Sequence, residues 1–160
     1  KHLDIVINRA INLHMAPVPE YRGCNQFSFA IYNRENEFGT TLHIMNEGID
    51  SGNIIAERRF PISKDIRVKE LLDKTKEESK ILFLENLNKI FDLDFKTQPQ
   101  IGITRIHYRK DIEKLKRIKV GDSEDEIDRR IRATYMKEFS PPYMIIKGKK
   151  MLIIPENYDL

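Results

Sequence analysis

The chain has 160 residues, 40% of them hydrophobic and 9% aromatic, enough for one buried core and too much for a disordered chain. Its 28 basic residues nearly balance its 25 acidic ones, leaving a net charge of +3, so composition alone does not mark a nucleic-acid-binding surface. The single cysteine, Cys24, cannot close an internal disulfide, no apolar run approaches the roughly 20 residues of a membrane span, and no secretory signal opens the chain, so a cytoplasmic setting is expected.

In chain order, Lys1, His2 and Leu3 read like the tail of a helix, with Ile5, Val6 and Ile7 leading on, so the sequence is expected to begin inside a domain. Residues 10–13 are predicted as a short buried strand whose end delivers Asn12 and His14, after which Pro17 and Pro19 break regular structure. Cys24 reads as a small buried or half-buried thiol. Residues 26–32 are predicted as a short helix with Phe27, Phe29, Ala30 and Ile31 largely buried. Residues 40–45 and 53–62 are β-rich runs, and the Gly48 to Gly52 turn between them would hold Asp50 at the sheet's edge.

Residues 67–91 form the strongest predicted helix. Val68, Leu71, Leu72, Thr75, Ser79, Leu82, Phe83, Leu87, Ile90 and Phe91 recur at three-four spacing as core, with Asp65 as the expected N-cap. Bases then crowd residues 105–119 and acids residues 122–128, which reads as two solvated faces of opposite charge. Ser123 followed by Glu126 is a capping box that should open a helix running to about Ala133. Pro141 and Pro142 stop it. Residues 143–147 and 150–154 are expected to form a hairpin around Gly148 and Lys149.

The chemistry concentrates in Asn12, His14 and Asp50, each beside a tight or Gly-rich turn. An amide can hold a developing oxyanion, an imidazole can move a proton near neutral pH, and a carboxylate can orient and charge-stabilise that imidazole. Taken without their surroundings, the same residues also read as a turn cap, a loop histidine and an Asx-turn residue. His43 and His107 fall outside this group and are expected to be structural or exposed. The four histidines have no zinc-like spacing, so no metal is expected. A Cys24–His14 nucleophilic pair is a rival reading, as is a non-enzymatic assembly or regulatory module.

The surrounding text decides more. The sequence keeps Asn12, His14, Pro19, Tyr21, Arg22, Gly23, Gly39, Gly48, Asp50 and Gly52, and so resembles the folate-dependent formyltransferase family. That family's pattern reads roughly Asn-x-His-x-Ser-x-Leu-Pro-x-Tyr-Arg-Gly, then Gly-Val-Thr, then Gly-x-Asp-x-Gly. The chain departs from it at Ala16, Val18 and Asn46, none of them a catalytic position. The resemblance implies an α/β fold: the C-terminal portion of a Rossmann-like formyltransferase catalytic domain, followed by a short helical segment and a β-hairpin tail. It places residues 1–98 in the catalytic domain, lacking its N-terminal βαβ portion, and residues 99–160 in a C-terminal extension.

It further implies transfer of a formyl group from 10-formyltetrahydrofolate, with Asn12, His14 and Asp50 as the triad. Asn12 would donate to the oxyanion, His14 would take and return the proton, and Asp50 would accept from the other ring nitrogen. Either His14 or Asp50, acting through water, could be the formal base. Met45, Asn46, Glu47 and Gly48 would lie against the pterin through backbone groups.

The short stretch after Ala133, too short for a tRNA-binding barrel, and the segment from His107 to Asp111 are similar to the sugar-nucleotide branch. The expected amine is then a dTDP-linked amino-deoxysugar destined for surface polysaccharide. Methionyl-tRNA and glycinamide ribonucleotide are the alternatives. Tyr21, Arg22, Asn25 and Gln26 could line the sugar; Tyr108, Tyr135, Phe139 and Tyr143 could stack a base; Arg109 or Arg132 could meet diphosphate. Packing is the plainer role for each aromatic. The tail hairpin, rich in Met and Ile, is expected to join a homodimer interface.

Overall fold

The computed structural model of the chain describes residues 10–102 and 105–156. The reading of Lys1 to Ile7 therefore lies outside the described residues. Three strands form the first sheet, in the order β1 (Ile11–His14), β2 (Glu37–Ile44), β3 (Ile54–Pro61), with both pairings antiparallel. β2 is central and is buried from Phe38 to Ile44, on both faces of the strand. Its polar side chains are therefore all engaged: Thr40 Oγ1 donates to the His14 carbonyl at 3.0 Å and Thr41 Oγ1 to that of Ala16 at 2.9 Å. β2 begins three residues earlier than the expected 40–45, because Glu37, Phe38 and Gly39 pair with Pro61, Phe60 and Arg59 across the sheet. β1 is half-buried rather than buried and includes His14 itself.

Helix α1 (Gln26–Tyr32) and the long helix α2 (Val68–Phe91) frame the apolar core, where Tyr21, Ile31, Phe38, Phe60 and Leu71 meet. Phe27 and Phe29 reach this core only half-buried. α2 lays Val68, Leu71, Thr75, Ser79 and Leu82 against the sheet, and Ser79 Oγ donates to Thr40 Oγ1 at 2.8 Å. Two expectations about α2 fail. Its N-cap is Arg67, whose backbone N–H meets the Glu70 carboxylate at 2.8 Å, whereas Asp65 lies before the first turn. Phe83 and Phe91 are 39% and 77% exposed. At 24 residues α2 runs about 36 Å, whereas the eight residues of β2 run only about 27 Å. The helix outruns the sheet it packs on.

A short 3₁₀ turn (Arg109–Asp111) leads into α3 (Ile112–Lys116), β4 (Arg117–Ile118) and α4 (Glu124–Thr134). Ser123 caps α4, its hydroxyl accepting the Glu126 N–H at 3.2 Å. The Glu126 carboxylate does not complete a reciprocal box; it accepts from Tyr32 Oη at 2.8 Å and Arg130 Nε at 2.6 Å, and pairs with Arg129. Arg130 Nη1 also donates to the Lys114 and Leu115 carbonyls at 2.8 and 3.0 Å, filling acceptors at the end of α3. The charge-rich stretch is thus more than two solvated faces, since Asp111, Lys116 and Arg130 are all buried. Finally β5 (Tyr143–Ile146) runs parallel to β4 and antiparallel to β6 (Lys149–Leu152). The hairpin turn is Lys147-Gly148, both at positive φ, one residue before the expected pair. Among the described residues no helix is long and apolar enough to cross a membrane.

Candidate active site

Antiparallel pairing of β1 with β2 sets Asn12 opposite His43 and His14 opposite Thr41. After β2 the chain turns through residues 45–52 and brings Asp50 back beside this pair. Asp50 sits at φ 45°, in the left-handed region, and Gly52 lets the turn close: a Cβ there would stand 1.7 Å from the Ile44 carbonyl oxygen. Gly23, at φ 90°, is held against the His107 backbone and donates its N–H to Asp50 Oδ2 at 2.9 Å. Gly23 and Gly52, two of the glycines that carried the resemblance, are thus required by close backbone approach.

Four side chains converge. Asn12 Nδ2 lies 3.1 Å from His43 Nε2 and donates to Asp50 Oδ1 at 3.3 Å. His43 Nδ1 faces the Ile44 carbonyl at 2.8 Å, and because a carbonyl only accepts, Nδ1 carries the hydrogen and Nε2 is left to accept from Asn12. His14 Nε2 likewise faces the Tyr21 carbonyl at 2.8 Å and carries its hydrogen there. His14 Nδ1 then faces Asp50 Oδ2 at 3.6 Å, and His43 Nε2 faces Oδ1 at 3.7 Å, both ion-pair rather than hydrogen-bond distances. The tautomer of His14 is therefore set by the Tyr21 backbone, not by Asp50 as the sequence suggested. Burial pushes the Asp50 carboxyl up, but the Gly23 N–H, together with His43 and His14 when their rings are protonated, outweighs it and holds the group below its ordinary value.

His43 is the member the sequence reading left out. Its signal is the pairing register: two residues beyond Thr41, it shares that residue's face of β2 and falls directly opposite Asn12. The Met45 to Gly48 segment borders the four side chains and is exposed, with Asn46 Oδ1 accepting from the Gly48 N–H and the Ser51 hydroxyl. Among the described residues no cluster of three or more His, Cys, Asp or Glu could hold a metal ion.

The expected substrate residues divide. Asn25, Gln26 and Arg109 border one cleft of about 610 Å³, which Lys116 and the exposed Phe139 also line and which reaches Gly23 beside Asp50. Asn25 Nδ2 donates to the Tyr108 and Arg109 carbonyls, and the Tyr108 ring itself is 52% exposed. The other assignments give way to structural roles. The Tyr21 ring is in the core and its hydroxyl donates to Glu35 at 2.7 Å. Arg22 spends Nε and Nη2 on Gln100 Oε1. Tyr135 is buried, and Arg132 is tied to Asp128 and to the Lys64 carbonyl. Tyr143 stacks under Lys150, 3.9 Å from its ammonium. Cys24, expected to be buried, is exposed at the cleft's rim, because Gly23 and Cys24 pair with the His107 backbone and leave its side chain outside.

The family model for formyl transferases matches residues 1–87. The methionyl-tRNA formyltransferase of Ehrlichia ruminantium (strain Gardel) is 28% identical over 148 residues, which is 92% of this chain and 46% of that protein. The chain thus spans about half the length of the curated relatives it matches. Among solved structures it is similar to WlaRD, a sugar 3N-formyltransferase crystallised in the presence of dTDP and 5-N-formyl-THF. Identity there is 32% and the TM-score 0.77, over 91% of this chain and 53% of that one. The N-formyltransferase of Helicobacter canadensis, in complex with folinic acid and dTDP-3-aminofucose, is 29% identical with a TM-score of 0.75, over 91% and 54%. With more than half of its residues matched by the family model and the fold shared with solved members, the chain belongs to the formyl transferase family.

Proposed function

We propose that this chain carries the catalytic portion of an N-formyltransferase that uses 10-formyltetrahydrofolate as co-substrate. The observation that carries this reading is the convergence of Asn12, His14, His43 and Asp50 on one sheet face beside an exposed turn. The co-substrate fits that surround: Met45 and Ile49, each 45% exposed, offer apolar cover for a pteridine, and the exposed Gly48 leaves the backbone open to it. The reaction forms a bond from the amine nitrogen to the formyl carbon and breaks the bond from that carbon to the folate nitrogen. One proton leaves the amine and one reaches the folate nitrogen.

Each residue has a distinct part. His14 Nδ1, the ring nitrogen that the Tyr21 carbonyl does not engage, receives the amine's proton, and the Asp50 carboxylate 3.6 Å away stabilises the resulting charge. Asn12 turns its N–H from the long contact with Asp50 Oδ1 to the formyl oxygen, while His43 keeps the other N–H and fixes the amide plane. One such donor contributes roughly 10²–10³ in turnover.

For the amine we propose a dTDP-linked amino-deoxysugar, with surface polysaccharide as its use and the cytoplasm as the setting. Support comes from the similarity to two sugar N-formyltransferases along 91% of this chain. It also comes from the cleft that joins Arg109 and Lys116 to the aromatic Phe139. Among the described residues Arg109 makes no side-chain hydrogen bond or ion pair, and Lys116, though largely buried, lines the cleft with only a 3.9 Å approach from Glu113, so both cations can turn to a diphosphate. The tail hairpin supports a homodimer: Ile145, Ile146, Met151 and Leu152 are 37–55% exposed on β5 and β6. A methionyl-tRNA substrate is the second reading, favoured by the curated relatives.

The test is formyl transfer by the intact protein from 10-formyltetrahydrofolate to dTDP-4-amino and dTDP-3-amino deoxysugars, with glycinamide ribonucleotide and charged initiator tRNA alongside. Turnover with an amino sugar is expected. Turnover with tRNA alone overturns the substrate class, and none with any amine overturns the activity.

A further inference from the structure

Gln100 stands beyond the residues matched by the family model, in a loop after α2, yet its carboxamide reaches back to the active-site turn. Nε2 donates to the Asp50 carbonyl at 2.9 Å and to the Gly52 carbonyl at 2.8 Å. Oε1 accepts from Arg22 Nε at 2.9 Å and from Arg22 Nη2 at 2.5 Å. Both N–H groups and both lone pairs of the amide are thereby used, which fixes its plane and leaves no alternative orientation. Arg22 immediately precedes Gly23, whose N–H holds Asp50 Oδ2. One amide thus grips Asp50 by its main chain directly and by its carboxylate through Arg22 and Gly23.

We infer that Gln100 is a positioning residue for the catalytic carboxylate, acting through Asp50 and Arg22 and touching neither substrate. The inference rests on the formyl-transfer reading of Asn12, His14 and Asp50. Asp50 needs such a grip because a non-glycine residue in the left-handed region is strained and persists only where neighbours over-determine it. The Asp50–His14 contact is long, so a small rotation of the turn changes the electrostatics at His14 Nδ1 directly. Gln100 also draws the segment after residue 98 into the site, so the expected division into 1–98 and 99–160 cuts across a working unit.

Gln100→Met removes all four bonds at similar volume. Gln100→Glu keeps the acceptor for Arg22 but turns a carboxylate on two carbonyls. In the intact protein each is expected to lower kcat by about 10- to 100-fold, as misplacement of a reacting group by about 1 Å does. KM for both substrates should stay within about twofold of wild type. A double variant of Gln100→Met with Arg22→Met should lose no more than the worse single variant, because the two act as one unit. The Gly23 amide should exchange with deuterium faster in Gln100→Met than in wild type, while amides in the β2–β3 ladder keep their rates.

Unchanged kcat in both folded variants of an active enzyme, or a loss confined to thermal stability, overturns the inference. Should Gln100→Met fail to fold, Gln100→Glu and Arg22→Met decide it by the same split of kcat from KM. If the wild-type protein formylates nothing, the functional reading falls and the Gly23 exchange rate alone judges whether Gln100 positions Asp50.

Discussion

Two buried polar clusters in this chain use similar residue types and are finished differently. Around Glu126, the Tyr32 hydroxyl and the guanidinium of Arg130 meet partners at 2.6–3.3 Å, Arg130 also fills carbonyls at the end of α3, and only Arg129 Nε is buried without a partner. Around Asp50, by contrast, the imidazoles stand 3.6 and 3.7 Å away and Asn12 3.3 Å away; only the Gly23 N–H is close, at 2.9 Å. A network of short bonds that spans several elements locks them together. A loosely satisfied one, with its carboxylate steadied by backbone, keeps bonding capacity for something else. The difference is the one expected between a joint that ties helices together and a site proposed to do chemistry.

The sharpest way to break this comparison is to truncate the Asp50 cluster. His14→Ala and Asn12→Ala should each lower formyl-transfer turnover by roughly 10²-fold or more, with thermal stability nearly unchanged. Comparable rates in either variant and wild type would remove the chemical half of the contrast. Arg130→Ala should do the reverse. It strands three carbonyls and takes one partner from the Glu126 carboxylate, which keeps Tyr32 and Arg129, so the midpoint of urea unfolding should fall by an amount equivalent to about 2–4 kcal/mol. Turnover per folded molecule should persist.

The smallest expected effect is on pH dependence. Burial and the charge of Arg105 hold His107 below its ordinary 6.5, in spite of Asp111, and its Nδ1 is buried without a partner. A histidine depressed in the folded state binds its proton more readily when unfolded, so stability should decline as pH falls below about 6.5. A second decline should follow as pH falls below 3.8. Lys114 and the Tyr108 N–H hold Asp111 down at about 2, so its stabilisation is present above 3.8 and lost on the way to 2. His107→Phe keeps the stack on Phe29, at 3.9 Å between ring centres, and removes the unpaired nitrogen. Its melting temperature should therefore vary less than that of wild type between about pH 5 and 7, and an equal slope would show that His107 does not titrate with folding.

What the sequence made legible follows from range. Asn12, His14 and Asp50 could be read because fixed local spacing and required glycines accompany them. His43 escaped because only the register of β1 on β2 brings it to Asn12, and Gln100 because its contacts with Asp50 and Arg22 span long separations with no local signature. Tyr21 and Arg22 were misassigned for the opposite reason. They belong to the same local motif as the triad, yet one fills the core and the other braces a loop. Helical periodicity marked the buried face of α2 but neither its edge nor where its packing ends, so Phe83, beside the buried Leu82, and Phe91, at the helix end, were counted as core.

The most direct test of the account is a paired measurement on the intact protein: single-turnover formyl transfer and urea unfolding, for Asp50→Asn and Arg130→Ala together. Asp50→Asn keeps the shape of the side chain and removes its charge, so the rate should fall by roughly 10²-fold or more while the unfolding midpoint holds; Arg130→Ala should show the converse. An Asp50→Asn protein that transfers formyl at the wild-type rate would contradict the account.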